Sequence, residues 1–200
     1  FDGWGSTKMN APVLTPGPAC LNGPYLNFGS ARDHRALTFS PDPDTATTAY
    51  PNGYNVLANI RTVIAVWGSD VNNGGHFLGG GGKTLPYGWH RAGDFVKGTG
   101  DWSGVYRWSS ALVNENAQEP VLTGIFWHDG IPSVPTRMSY NGGWEVISFR
   151  AKGANAEAAG IGVNDMRSGQ SDVSSGQQVA ELLIYDRDLT DDERAREPVR

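Results

Sequence analysis

Apolar residues recur along this chain in short runs, each bounded by Gly, Pro, Asn or Asp, which is the pattern of β-strands separated by turns. The clearest runs are Tyr25–Phe28, Ala36–Phe39, Arg61–Trp67, Gly75–Leu78, Val105–Trp108, Val121–Trp127, Thr136–Tyr140, Trp144–Phe149 and Val179–Tyr185. The last is apolar on both of its period-two faces apart from Glu181, as expected for a strand covered on both sides. Tyr140-Asn-Gly-Gly-Trp144 sets Asn-Gly between two runs, the strongest short-range hairpin signal in the chain. Helix is scarce. Thr190 to Glu193 has the form of a capping box, with Asp191 and Asp192 favouring the positive end of the turn. Ala154–Ala159 is the other helical candidate, short and flanked by glycine. Many strands and almost no helix predict an all-β antiparallel sandwich. No fixed-period repeat points to a propeller or solenoid.

Composition fits that reading. Two hundred residues suit one large β domain spanning 1–200, able to bury most of its unfolded surface without metal or disulfide. The 27 glycines and 12 prolines are dispersed, so they mark turns rather than disorder. A net charge of -5 with no basic run argues against a nucleic-acid partner. The single cysteine, Cys20, cannot form an internal disulfide. The chain opens at Phe1 without an initiator methionine, signal peptide or membrane span. It reads as a mature form or a module excised from a larger protein, with other domains of the same polypeptide as partners. The lack of any Asn-x-Ser/Thr acceptor favours a bacterial origin.

Particular segments carry a family resemblance. Val179-Ala-Glu-Leu-Leu-Ile-Tyr-Asp-Arg-Asp-Leu-Thr-Asp-Asp-Glu-Arg194 resembles the closing segment of the concanavalin A-like lectin/glucanase superfamily, in its bacterial laminin-G-like branch. Asn59-Ile-Arg-Thr-Val-Ile-Ala-Val-Trp67, Gly74-Gly-His-Phe-Leu-Gly79, Gly88-Trp-His-Arg-Ala92 and Leu21-Asn-Gly-Pro-Tyr-Leu-Asn-Phe-Gly29 look like that branch's earlier motifs. The resemblance spans Leu21 to Arg196. It implies a two-sheet antiparallel jelly roll closed by a short C-terminal helical turn. Its motifs are structural rather than catalytic.

Enzyme signals are weak. Gly79–Thr84 suggests a phosphate loop, but Phe77 stands where a Walker A motif needs glycine. The superfamily's hydrolases carry Glu-x-Asp-x-(x)-Glu on one strand face, a spacing that sets an acid and a nucleophile on the same side of the sugar. Here Glu145 and Glu181 each stand alone on their strands. Histidines 34, 76, 90 and 128 lack zinc-ligand spacing, and no Gly-x-Ser-x-Gly elbow occurs. The expectation is a protein without catalytic activity.

Aromatic residues carry the functional argument. Seven tryptophans are present, and Trp89, Trp102, Trp108, Trp127 and Trp144 lie beside polar, glycine-rich turns. Indole stacks on the C–H face of a sugar ring, while amides and carboxylates orient the hydroxyls. Trp127-His128-Asp129-Gly130 and Gly100-Asp101-Trp102-Ser103-Gly104 offer both in one loop. Trp89 with His90 and Arg91 completes the candidate ligand set, although Arg91 bracing the sheet through a carboxylate is the favoured reading there. The general alternative is that tryptophans fill the core, as Trp67 does in its apolar run. Lectins and laminin-G relatives often hold calcium in sheet-edge loops, which makes Asp129, Asp165 and Asp172 the candidate metal ligands. The expectation is therefore a carbohydrate-binding or adhesion module of a secreted or cell-surface bacterial protein, with a glycan partner. A spacer or protein-contact module without sugar binding is the alternative, and an enzyme with an unconventional site comes third.

Overall fold

In the computed structural model, the described residues are 11–21, 23–29, 35, 37–38, 57–69, 78, 119–134, 143–158, 160–161 and 177–197. Their strands are β1 (Val13–Thr15), β2 (Tyr25–Asn27), β3 (Leu37–Thr38), β4 (Leu57–Ile60), β5 (Thr62–Ser69), β6 (Ile125–His128), β7 (Ile131–Ser133), β8 (Trp144–Arg150), β9 (Ala156–Ala158), β10 (Gly160–Ile161) and β11 (Gln177–Tyr185). Two short helices, α1 (Glu119–Leu122) and α2 (Asp191–Arg196), accompany them. Seven strands form one antiparallel sheet in the order β1-β2-β11-β5-β8-β6-β7. β3 pairs with β10, and β4 with β9. The fold of the described residues is all-β.

Period-two alternation sorts the sheet into two faces. Val63, Ala65 and Trp67 of β5, Ile147 and Phe149 of β8, Phe126 of β6 and Val179 of β11 point into one apolar core. The smaller ladders supply Ile60, Ala156, Ala158 and Ile161 to the same core. On the opposite, outer face, Ile64, Val66, Ser148 and Trp127 are buried as well. Coverage on both sides, expected for Val179–Tyr185, is therefore most complete on the neighbouring strand β5. Of the β11 residues whose burial is described, only Val179 is fully buried, and Glu181 to Tyr185 are half-buried.

A register shift between Val179 and Glu181 resets the phase of β11. Val179 faces Trp67 in the core, whereas Glu181 faces Val66 on the outer side. The one-residue bulge thereby turns Gln178 outward and keeps Val179 inward. Beyond β11 the chain folds back over the start of β5. The Thr62 hydroxyl donates to the Arg187 carbonyl at 2.9 Å and accepts from the Leu189 N–H at 3.1 Å. In α2 the predicted capping box is formed: Glu193 N–H donates to Thr190 Oγ1 at 3.2 Å, and Thr190 N–H to Glu193 Oε2 at 2.8 Å.

The structure corrects two element expectations. Val121–Trp127 is not one strand, because α1 ends at Leu122 and β6 starts only at Ile125. Thr123 N–H and its hydroxyl both bond the Glu119 carbonyl, closing the helical turn. Ala154–Ala159 is not helical; β9 runs from Ala156 to Ala158 and pairs with β4. Alanine's helix preference loses here to a tertiary effect, since Ala156 and Ala158 at spacing two are both buried in the core. The expected runs Val105–Trp108 and Thr136–Tyr140, and the turn residues Tyr140, Asn141 and Gly142, lie outside the described residues. Of Gly75–Leu78 only Leu78 is described, and it is buried in the core.

Candidate ligand-binding face

Trp127 and His128 sit on β6, and Asp129 follows in a two-residue turn into β7. Asp129 has φ 49° and Gly130 φ 79°, the pair of positive values that a type I′ hairpin requires. The segment read as an open sugar-binding loop is thus a tight turn. The Asp129 carboxylate accepts from the Val146 N–H at 2.8 Å, and the Asp129 N–H donates to the Val146 carbonyl at 2.8 Å. These two bonds tie the hairpin to β8 and occupy one of the oxygens expected for calcium. Among the described residues, no group of three or more His, Cys, Asp or Glu side chains is arranged to hold a metal ion.

Trp127 is not the exposed stacking residue that its sequence neighbours suggested. It is 4% exposed on the outer face. The Arg194 guanidinium lies over its ring at 4.1 Å from the centroid, and Arg150 at 5.3 Å. These are cation–π distances, and they leave no bare indole surface for a sugar. Arg194 also reaches Ser148 Oγ from Nη1 at 3.4 Å. Arg150 is anchored differently, donating to the Leu189 carbonyl at 2.8 Å and pairing with Asp191 at 3.2 Å.

At the other end of the outer face stands a second aromatic group. Trp144 of β8 is half-buried, and its indole lies over Gly68. A Cβ at Gly68 would come within 3.2 Å of Trp144 Cε3 and 3.5 Å of Gln178 Oε1. Glycine is what lets the ring lie flat on the sheet. Tyr25 meets Trp144 edge-on, with centroids 5.0 Å apart and planes at 72°, the favourable quadrupole arrangement. Gln178 pairs with both Gly68 and Asn27 in register, which sets the Gln178 amide beside the Trp144 ring. Half-exposed aromatic surface with amide neighbours is the composition that a pyranose ring needs.

The core-facing side carries one charged cluster. Glu145, 5% exposed, stands opposite Trp67, and His128 Nε2 lies 3.2 Å from its Oε2 and 3.7 Å from Asp129 Oδ2. Neither contact of Nε2 has hydrogen-bond geometry. Glu145 is therefore not alone on its strand in the sense the sequence implied; the partner comes from β6.

Trp89, His90, Arg91, Asp101, Trp102, Asp165 and Asp172 lie outside the described residues. Of the expected site the structure brings together Trp127, His128 and Asp129, but on opposite faces: His128 shares the core side with Ile147, while Trp127 pairs with Ser148 on the outer side. Trp144 was among the tryptophans singled out beside polar turns but was not placed in the ligand set; Tyr25 and Gln178 were missed. Trp144 at even spacing from Ser148 was a readable signal, but the bulge that turns Gln178 outward was not. The Asp129-Gly130 hairpin was also readable, as Asp-Gly between two apolar runs. No protein-family profile, no curated protein and no solved structure matches this chain. Among the described residues no helix is long and apolar enough to cross a membrane.

Proposed function

We propose that this chain is a non-catalytic carbohydrate-binding module, built as a two-sheet concanavalin A-like sandwich and belonging to a secreted or cell-surface bacterial protein. The observation that carries the reading is the half-buried Trp144 laid flat over Gly68, with Tyr25 edge-on and Gln178 beside it. Strand pairing assembles the platform without a ligand, and a preassembled site has less ordering to oppose binding. Trp89, His90, Arg91, Asp101 and Trp102 belong to the proposal on the sequence argument alone. The sandwich is supported by the β3–β10 and β4–β9 ladders, which send residues into the core beneath the seven-stranded sheet.

A glycan array with and without calcium, followed by calorimetry on each hit, tests the reading. Trp144→Ala is expected to weaken binding about tenfold or more, the equivalent of about 1.4 kcal/mol, with the domain still folded. If no glycan binds in either condition, the carbohydrate reading is lost. A protein-contact module would then take its place. That second reading draws on the two edge strands, where Leu14 of β1 and Ile131 of β7 are both two-thirds exposed.

A further inference from the structure

The half-buried Trp144 ring has unequal surroundings. Along the strands towards α2 the outer face is closed. Val66 and Ile64 of β5, Ser148 of β8 and Trp127 of β6 are each only 3–4% exposed, and the Arg194 guanidinium lies on the Trp127 ring. Side chains buried to that degree have other atoms above them, so no sugar can rest there. Val66 is two positions from Gly68, the residue under the indole, which is about 7 Å along a strand. The closure therefore begins within the length of two linked pyranose rings.

Across the strands, β2 closes a second side. Leu26 packs against the core, so alternation puts Tyr25 on the outer face. Its ring meets the indole at 72° with centroids 5.0 Å apart. Because the indole lies flat on the sheet, Tyr25 stands beside it as a wall and does not extend it as a floor. The two other sides are the ends of elements. Gly143, just before Trp144, is exposed, and β6 pairs with β8 no further than His128 opposite Ile147, where the exposed Asp129-Gly130 turn follows. A linear glycan crossing a ring needs two opposite exits. At Trp144 the line along the strands is closed towards Val66 and Ser148, and the line across them is closed at Tyr25.

We infer that the Trp144 platform accepts a single sugar ring at the end of a glycan chain, and not a unit from its interior. This rests on the carbohydrate-binding reading and narrows its ligand to terminal residues. The indole takes the C–H face of that ring, and the Gln178 amide beside it orients a hydroxyl. Units further along the glycan point into solvent and add little affinity.

The test is calorimetry on the whole chain with length series: the methyl glycosides of glucose, galactose, mannose, xylose and N-acetylglucosamine, each against its linear tetramer. Any glycan found on the array enters the same comparison with the methyl glycoside of its terminal sugar. For a sugar that binds, the methyl glycoside is expected to match the tetramer within about threefold, and Trp144→Ala should weaken both alike. A tetramer that binds tighter than that margin overturns the inference and leaves the carbohydrate reading standing, since several units would then share the binding. A flat series that Trp144→Ala leaves unchanged also overturns it alone, because the sugar would sit elsewhere. If no glycan binds at all, both fall. Should Trp144→Ala fail to fold, the parent chain's own length series still decides.

Discussion

Arg61 and Asp188, 127 residues apart in sequence, meet in a two-pronged ion pair: Nε donates to Oδ1 and Nη2 to Oδ2, each at 2.8 Å. Nη1 of the same guanidinium donates to the Ala154 carbonyl at 3.0 Å. One side chain therefore joins the entry to β5, the segment before β9 and the segment after β11. Both residues lie in motifs that carry the family resemblance, and in the structure those motifs are fastened to one another.

Asp188→Asn is expected to lower stability by about 1–2 kcal/mol, since one charged, bidentate contact is lost from a half-exposed pair. Urea unfolding measures it. The pH dependence has a definite sign. The Arg61 hydrogen bond, foremost, and then its charge hold the Asp188 carboxyl below its ordinary value. The unfolded chain therefore binds the proton more readily, and the pair's contribution is complete above the unfolded carboxylate value. It is lost as pH falls through the depressed folded value. The Asn variant should lack that part of the acid limb. An identical acid limb in both proteins would show that the pair contributes nothing.

Thr190→Ala should cost about 1 kcal/mol, the usual effect of deleting an N-cap oxygen. The loss is local. Amide hydrogen exchange at Glu193 and Arg194 should speed up more than at β5. The Thr190 backbone N–H, then Arg187, hold the Glu193 carboxyl below its ordinary value. The cap should therefore be intact at neutral pH and weaken on acidification.

Gly68→Ala is expected to disturb recognition more than stability. A methyl group there meets the Trp144 ring at 3.2–3.3 Å, so the indole must lift from the sheet. Tryptophan fluorescence and near-ultraviolet dichroism should change, and affinity for any glycan found should drop about tenfold, close to the Trp144→Ala value. Unaltered affinity would separate the platform from binding.

Glu145→Ala should cost about 3 kcal/mol, because it truncates a buried side chain and opens a gap beside Trp67. Glu145→Gln keeps the shape and should cost less. Denaturant midpoints of the two variants distinguish loss of charge from loss of packing.

Strand existence was largely legible in the chain. Tyr25–Phe28, Arg61–Trp67, Trp144–Phe149 and Val179–Tyr185 overlap β2, β5, β8 and β11, because long alternating apolar runs leave few other ways to bury their side chains. The capping box at Thr190 was legible for a simpler reason: both of its hydrogen bonds lie within four residues. Short edge strands such as β1 and β7 were not readable, since three residues carry too little periodicity. Alanine at 156 and 158 misled for the opposite reason, a local propensity overridden by burial.

The candidate site was less legible. Trp127, His128 and Asp129 are adjacent in sequence and suggested one binding loop. In the structure a strand sends Trp127 and His128 to opposite faces, and a turn ties Asp129 to Val146. Local chemistry was enough to predict an all-β chain closed by a capped helical turn, since strand alternation and helix capping are short-range. Which indole stays accessible was a tertiary matter. The helix α2, packed beyond the end of β11, brings Arg194 over Trp127, and a bulge at Ala180 turns Gln178 toward Trp144. Exposure depends on what other elements contribute, and no neighbouring residue in sequence records that.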